Sequence, residues 1–336
     1  MKSALPIALL LAAAACKPKG PPPAKLVDTA WAVVRDSAKS PKPELRAQAA
    51  AALVRLGDKD RAAELLTDKD LKVRMAAAQA LAKSGDARGR DALLAGCKDK
   101  DLRTRAESVR ALGDIGGPGA AEALKPMLKS EEGLERANAV HALGRIGNKA
   151  AVGWLLAIKD DQSDRVQHDL CIALTRLGDK TLIDNARTLT GDSTWRLDAA
   201  EALVLLGDPL GKQTFDDALG GVEGKFERIV AADRLADLGD KRGAPAILDA
   251  LASKDPALRG TAVAVLPKLG AAIATKPLEK MVKDRDPGIA TSAAIALAKL
   301  GDKAGRGVLA KAVTDAQKPG LRLAAAEALV MLLKKP

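Results

Sequence analysis

A string close to "ALVRLGD" returns along most of this chain, and its recurrence limits the possible folds more than any other feature. The glycine that closes each string serves as an anchor: Gly57, Gly85, Gly116, Gly147, Gly178, Gly207, Gly239, Gly270 and Gly301, with Leu333 in the tenth place. Successive anchors are 28, 31, 31, 31, 29, 32, 31, 31 and 32 residues apart. Ten units therefore fill the chain from about Leu26 to its end. A fixed period of this length means one supersecondary unit stacked on copies of itself.

Within the unit, leucine stands four before the anchor in all ten cases, from Leu53 and Leu81 to Leu297 and Leu329. Eight before it stands alanine, except at Ser108 and Leu170, and seven before it always Ala, Val or Cys. Positions −8, −7, −4 and −1 make one apolar stripe of a helix. Its small residues let neighbouring helices approach closely. The anchor glycine ends that helix, because it enters the left-handed conformation without a side-chain clash. Aspartate often follows, as at Asp58, Asp86, Asp179, Asp208, Asp240 and Asp302, placed to cap the next helix. A first, shorter helix precedes the regular one in each unit. The turn between the two carries Asp255-Pro256 or Asp286-Pro287, with proline in the first helical turn. Aromatic residues are 1% of the chain and tyrosine is absent, which fits many thin helix–helix contacts better than one thick core.

The string D-x-x-x-R-x-x-A-A-x-A-L-x-x-L-G-D resembles the HEAT repeats of the bilin-lyase-like class over about 300 residues. The resemblance implies an all-α fold, an α-solenoid (superhelix) of about ten two-helix HEAT-like repeats of about 31 residues. Its relatives include two kinds of enzyme. The hydroxylase that modifies a lysine-derived side chain on a translation factor binds iron through His-Glu pairs. Here Ala142 follows His141 and Asp169 follows His168, so that ligand pattern is missing. The bilin lyases attach tetrapyrroles, for which this chain has few aromatics to stack. The expectation is a chain with no catalytic, metal or cofactor site.

The N-terminus departs from the repeat. Met1-Lys2 is followed by the apolar run Ala4–Ala15, too short to span a bilayer and laid out as a secretory leader. Ala13-Ala14-Ala15-Cys16 resembles the lipobox of bacterial lipoproteins, although the family usually has leucine where Ala13 stands. The resemblance implies cleavage before Cys16 and lipidation of its thiol. An ordinary signal peptide would be cut at the same bond and leave Cys16 a free thiol. The segment "KPKGPPPAK" then forms an extended tether. The expected organisation is a signal peptide over 1–15, a lipidated cysteine and tether over 16–25, and the repeat array over 26–336. Lys17 stands where, by the same resemblance, aspartate would signal retention in the inner membrane. The expectation is thus an envelope protein on the outer membrane, facing the periplasm.

The formal charge is +11, but unevenly spread. Residues 1–100 hold 19 Lys and Arg against 11 Asp and Glu; residues 151–250 hold 12 against 18; residues 251–336 hold 15 against 7. A nucleic-acid groove needs a continuous positive track, and this chain turns acidic in the middle. Arginine stands eleven before the anchor in eight units: Arg46, Arg74, Arg105, Arg136, Arg196, Arg228, Arg259 and Arg322. Gln167 and Ala290 interrupt the file. It reads as a structural ladder in which each guanidinium bridges to acids or carbonyls of adjacent units. The fifth unit, "SDRVQHDLCIALTRLG", is the most irregular and brings together His168, Asp169 and Cys171. Two ligands do not make a zinc site, and Cys171 occupies an apolar slot, so a buried thiol is the expected reading; His168 and Cys171 stay as the candidate pocket. The favoured function is a non-catalytic scaffold that binds a protein partner on its concave face. Beside it stand a lyase-like or enzyme-accessory protein with a pocket near the fifth unit, and an electrostatic binder of anionic envelope polymers.

Overall fold

The computed structural model describes residues 23–221, 224–315 and 317–334, and among these residues there is no strand. Signal peptide, Cys16 and most of the tether lie outside them. Pro23 opens the first helix, Pro23–Ser37, so the last three tether residues belong to the array.

Each unit pairs an outer first helix with a second helix, which is the longer of the two except in the first unit, where Pro23–Ser37 (15 residues) exceeds Pro43–Arg55 (13 residues). The second helices are Pro43–Arg55, Leu71–Lys83, Leu102–Ile115, Gly133–Ile146, Asp164–Arg176, Arg196–Leu206, Lys225–Asp237, Pro256–Val265, Pro287–Lys299 and Pro319–Lys334. Their starts are fixed locally. Asp70, Asp101, Asp255 and Asp286 accept hydrogen bonds from backbone N–H groups of the first turn, each such cap contributing about 0.5–2 kcal/mol. Pro43, Pro256, Pro287 and Pro319 occupy a position where their missing N–H costs nothing. All nine anchor glycines have positive φ, from 66° to 92°, where a side chain would be strained. Asp58, Asp86 and Asp208 then cap the next first helix. Asp179, Asp240 and Asp302 instead hold short turns whose helices begin a few residues later.

The second helices pack on one another all along the array, while the first helices scarcely touch. The second helices therefore form the inner layer and the first helices the spread outer layer. All ten residues at −4 and all ten at −8 are buried, among them Leu53, Leu143 and Leu329. The −3 position, too, is closed off in the tightest joints. A Cβ on Gly113 would come within 2.9 Å of Ala142, and one on Gly144 within 2.7 Å of Ala173.

The solenoid bends far enough for its ends to meet. The first helix, Pro23–Ser37, packs along the last, Pro319–Lys334, which also touches Pro43–Arg55. One apolar cluster runs across this seam, from Leu26, Ala30 and Val34 to Leu323, Leu329 and Leu332. Arg55 and Glu327 form an ion pair over it, with Arg55 Nη2 donating to Glu327 Oε2 at 2.9 Å. Ten inner helices roughly 10 Å apart place their axes on a circle of about 16 Å radius, which leaves a lumen about 20 Å across. No helix among the described residues is long and apolar enough to cross a membrane.

Candidate interaction face

Helical geometry sets the face that lines the lumen. At 100° per residue, positions −13, −9, −6 and −2 lie together, directly opposite the buried leucine at −4. A surface depression of about 870 Å³ in the first three units is lined by residues of this set, including Glu44, Lys72, Arg103, Gln79 and Arg110. The −6 position, which holds His141, thus belongs to the lumen. Position −3 belongs to the joints. Six large apolar side chains are exposed among the described residues, and four lie on this face: Leu134 (66%), Leu205 (56%), Phe226 (49%) and Val230 (45%).

Charged side chains on the same face link consecutive units. Arg110 pairs with Glu107 at 2.8 Å and with Asp114 at 3.5 Å, and Arg145 reaches Asp114 at 3.1 Å. Further round, Arg165 Nε donates to Asp169 Oδ2 at 2.9 Å, and His141 Nδ1 lies 3.3 Å from Asp169 Oδ1. Arg234 bonds Asp198 at 2.7 Å and Glu201 at 3.2 Å, and Arg176 lies 3.2 Å from Glu201. Burial alone would raise the Asp198 pKa. The hydrogen bond from Arg234 and the positive charges of Arg234 and Arg176 outweigh it and hold the carboxyl below its ordinary value. Lys268 closes the belt on Asp233 at 2.7 Å and Asp237 at 2.9 Å. The sequence reading did not pick out this belt. Its trace is a charge at −9, −6 or −2 whose counterion stands one unit away.

The fifth-unit cluster separates in three dimensions. Asp169 turns to the lumen, whereas His168 and Cys171 face a cavity of about 300 Å³ that Gln167, Asp184, Asn185 and Thr188 help to line. His168 meets Trp195 edge-on, with ring centroids 5.4 Å apart, and the Arg165 guanidinium lies 4.4 Å from the same ring. The Cys171 thiol is buried and donates to the His168 carbonyl at 3.1 Å. Burial pushes its pKa up to about 12, and that of Cys97 up to about 11. Such thiols stay protonated near neutral pH and are poor nucleophiles. Among the described residues no group of three or more His, Cys, Asp or Glu side chains is placed to hold a metal ion.

The arginine file runs along the loop edge and makes one recurring set of contacts. Arg46 takes both oxygens of Asp68 (2.7 and 2.8 Å) and also donates to the carbonyls of Ser40 and Pro41. Arg136 does the same with Asp161, Ser130 and Glu131. Arg259 repeats it with Asp284, Ser253 and Lys254. Each guanidinium ties its own inter-helix loop to an acid of the next unit. These bonds hold Asp68, Asp161 and Asp284 below the ordinary aspartate pKa, against the opposing pull of burial. Arg105 uses Glu135 together with the carbonyls of Asp99 and Lys100. Arg74 keeps only carbonyl contacts, to Asp68 and Lys69. Arg228 and Arg322 bond the carbonyls of Leu219 and Val313, and Arg196 lies 3.6 Å from Glu227. Gln167 spans its own loop through the carbonyls of Lys159 and Asp161. Of the acids near the file in sequence, Asp70, Asp101 and Asp255 are helix caps.

Two-helix units, small-residue joints and a loop-edge arginine file define an α-solenoid repeat protein. The chain belongs to the HEAT-repeat family, whose pattern matches residues 60–144, 127–207, 225–295 and 244–330. Among solved structures it is similar to the complex of CpcE and CpcF of phycocyanin lyase from Nostoc sp. PCC7120. The identity is 20%, the match covers 65% of this chain and 91% of the other, and the TM-score is 0.40. Human deoxyhypusine hydroxylase matches at 20% identity over 75% and 97% of the two chains, with a TM-score of 0.30. The YibA protein of Escherichia coli matches at 21% identity over 80% and 96%, with a TM-score of 0.35. No protein of curated function matches the chain.

Proposed function

We propose that this protein is a lipid-anchored scaffold of the bacterial envelope, held on the outer membrane by Cys16 and facing the periplasm, which binds a protein partner in its lumen without catalysing a reaction. The observation that carries the lumen reading is the placement of Leu134, Leu205, Phe226 and Val230, exposed on the one face that the ring encloses. Apolar side chains set among charged ones are what a buried contact patch needs. Stacked HEAT units present this kind of concave surface to partners. The anchor rests on Ala13-Ala14-Ala15-Cys16 and on the proline-rich stretch after it.

The test is capture from detergent-solubilised envelope with the tagged mature chain at low and high salt, beside the double variant Leu134→Lys/Phe226→Lys. The reading expects one discrete partner that survives high salt and is lost with the variant. Heterogeneous capture that high salt abolishes would sink it and leave the basic ends as the working surface. Thiol counting tests the anchor separately. With Cys97 and Cys171 buried, a lipidated native protein shows no fast-reacting thiol. A plain signal-peptide product shows one, from Cys16.

A further inference from the structure

Eight units fill the position eleven before the anchor with arginine and one with glutamine; only Ala290 puts nothing there that can donate a hydrogen bond. In the fullest contacts, those of Arg46, Arg136 and Arg259, the guanidinium occupies a cradle with three parts. Two are the carbonyls six and five residues earlier, and the third is a carboxylate from the next unit. By register the ninth unit supplies all three. Its two carbonyls belong to Asp284 and Arg285, and its carboxylate is that of Asp315, which stands in the next loop as Asp284 stands to Arg259. The space is open: a cavity of about 440 Å³ lies there, lined by Ala290, Thr291 and Asp315 over an apolar floor that includes Val308 and Leu321. The matching space beside Arg74 measures about 170 Å³, whereas that beside Arg228, whose Nε turns instead to the Leu219 carbonyl, measures about 670 Å³, so it is the empty cradle and not the volume that sets Ala290 apart.

We propose that this cavity binds the side chain of an arginine carried by a partner polypeptide, with its guanidinium in the cradle that Ala290 leaves unfilled. The full set of acceptors suits that group, whereas the glutamine at the same position, Gln167, takes only carbonyls. Two carbonyls and a carboxylate, the set that Arg46, Arg136 and Arg259 each engage at once, match a fork of N–H donors, whereas a lysine ammonium reaches them one at a time. Asp284 is not the free carboxylate here, because Arg259 already holds both its oxygens. Lys311, Lys318 and Arg322 stand at the margin, with Arg322 Nε engaged by the Val313 carbonyl. Their charge favours an arginine that arrives next to an acidic residue and disfavours an isolated cation. The site lies on the loop edge and does not depend on the lumen reading.

The experiment is titration of the mature chain, by calorimetry, with the peptide acetyl-Gly-Arg-Asp-Gly-amide and its lysine and citrulline counterparts. The arginine peptide is expected to bind, and the other two at least about tenfold more weakly, since one lacks the fork and the other the charge. Ala290→Arg supplies the missing side chain. It should abolish peptide binding while raising the melting temperature, so loss of binding cannot be mistaken for loss of fold. Asp315→Asn, at an exposed position, should weaken binding by about tenfold without altering stability. Equal affinity for the arginine and lysine peptides overturns the proposal. So does undiminished binding by Ala290→Arg, and so does no binding of the arginine peptide to the wild-type chain.

Discussion

The seam between the first and tenth units and the joint between the sixth and seventh are held by different means. At the seam, two ends some 300 residues apart share one continuous apolar cluster, from Val34 through Leu53 to Leu329. At the joint, the second helices Arg196–Leu206 and Lys225–Asp237 touch only loosely, and the apolar contact that crosses it is one small cluster of Ala200 with Phe215, Ala231 and Leu235. Charges span that joint as well: Arg234 on Asp198 and Glu201, and Arg196 near Glu227. The contrast has a physical reason. Neighbouring units are kept together by the chain, so a loose interface between them costs little. The two ends have no such link and must overcome the entropy of closing a loop through the whole array. Apolar burial is the interaction large enough to do this.

Matched leucine truncations give the largest test. Leu329→Ala at the seam should cost about 2–5 kcal/mol, while Leu235→Ala in the looser joint should fall at the low end of that range, because its surroundings can relax into the space. Chemical denaturation of both variants measures the difference. If Leu235→Ala costs as much, the joint is as well packed as the seam and the comparison fails. A glycine pair extends the test to the tight joint between units four and five. Gly144→Ala drives a methyl group into Ala173 and should cost about 1–3 kcal/mol. Gly260→Ala meets nothing within 4 Å in mid-helix and should stabilise by up to about 1 kcal/mol.

The charged joint should also respond to acid. Asp198 has a folded pKa below the ordinary value of 3.8, so its contribution is fully present above that value and is lost as the pH falls through the lowered one. Hydrogen exchange on acidification should therefore show Arg196–Leu206 and Lys225–Asp237 loosening before Pro23–Ser37 leaves Pro319–Lys334. Arg234→Ala should cost about 1–2 kcal/mol near neutral pH, with the difference from wild type shrinking below about pH 4. Opening of the seam first would show that its charge pair, Arg55 with Glu327, matters more than its apolar cluster.

What could be read in the sequence follows the same division. The repeat length, the buried leucine at −4, the left-handed glycine and the register of the arginine file all depend on contacts within a unit or to its neighbour, and each recurs about ten times. Ring closure depends on the small rotation from one unit to the next, summed over nine joints. No single motif carries that sum, and Leu26 and Val34 look like any first-helix residues. The cluster at His168, Asp169 and Cys171 divides for a related reason. Neighbours on a helix diverge by 100°, so Asp169 serves the lumen while His168 and Cys171 line the cavity behind it. The leader and Cys16 rest on sequence alone.

Lys268→Met gives the smallest expected effect and the finest test of the comparison. Lys268 holds Asp233 and Asp237 of the preceding unit, much as Arg234 holds Asp198, but its side chain is more exposed, at 39% against 31%, and the Asp237 side chain is 61% exposed. Exposed pairs gain little from Coulomb attraction in water and lose side-chain entropy when they form. The variant should therefore lose no more than about 1 kcal/mol, and that loss should fade in high salt, since exposed charges are screened over about 3 Å at 1 M. The loss in Arg234→Ala should persist there, because Asp198 is mostly out of water. If both losses fade alike, charges do not hold the sixth and seventh units together in the way proposed, and the small cluster around Leu235 must do so.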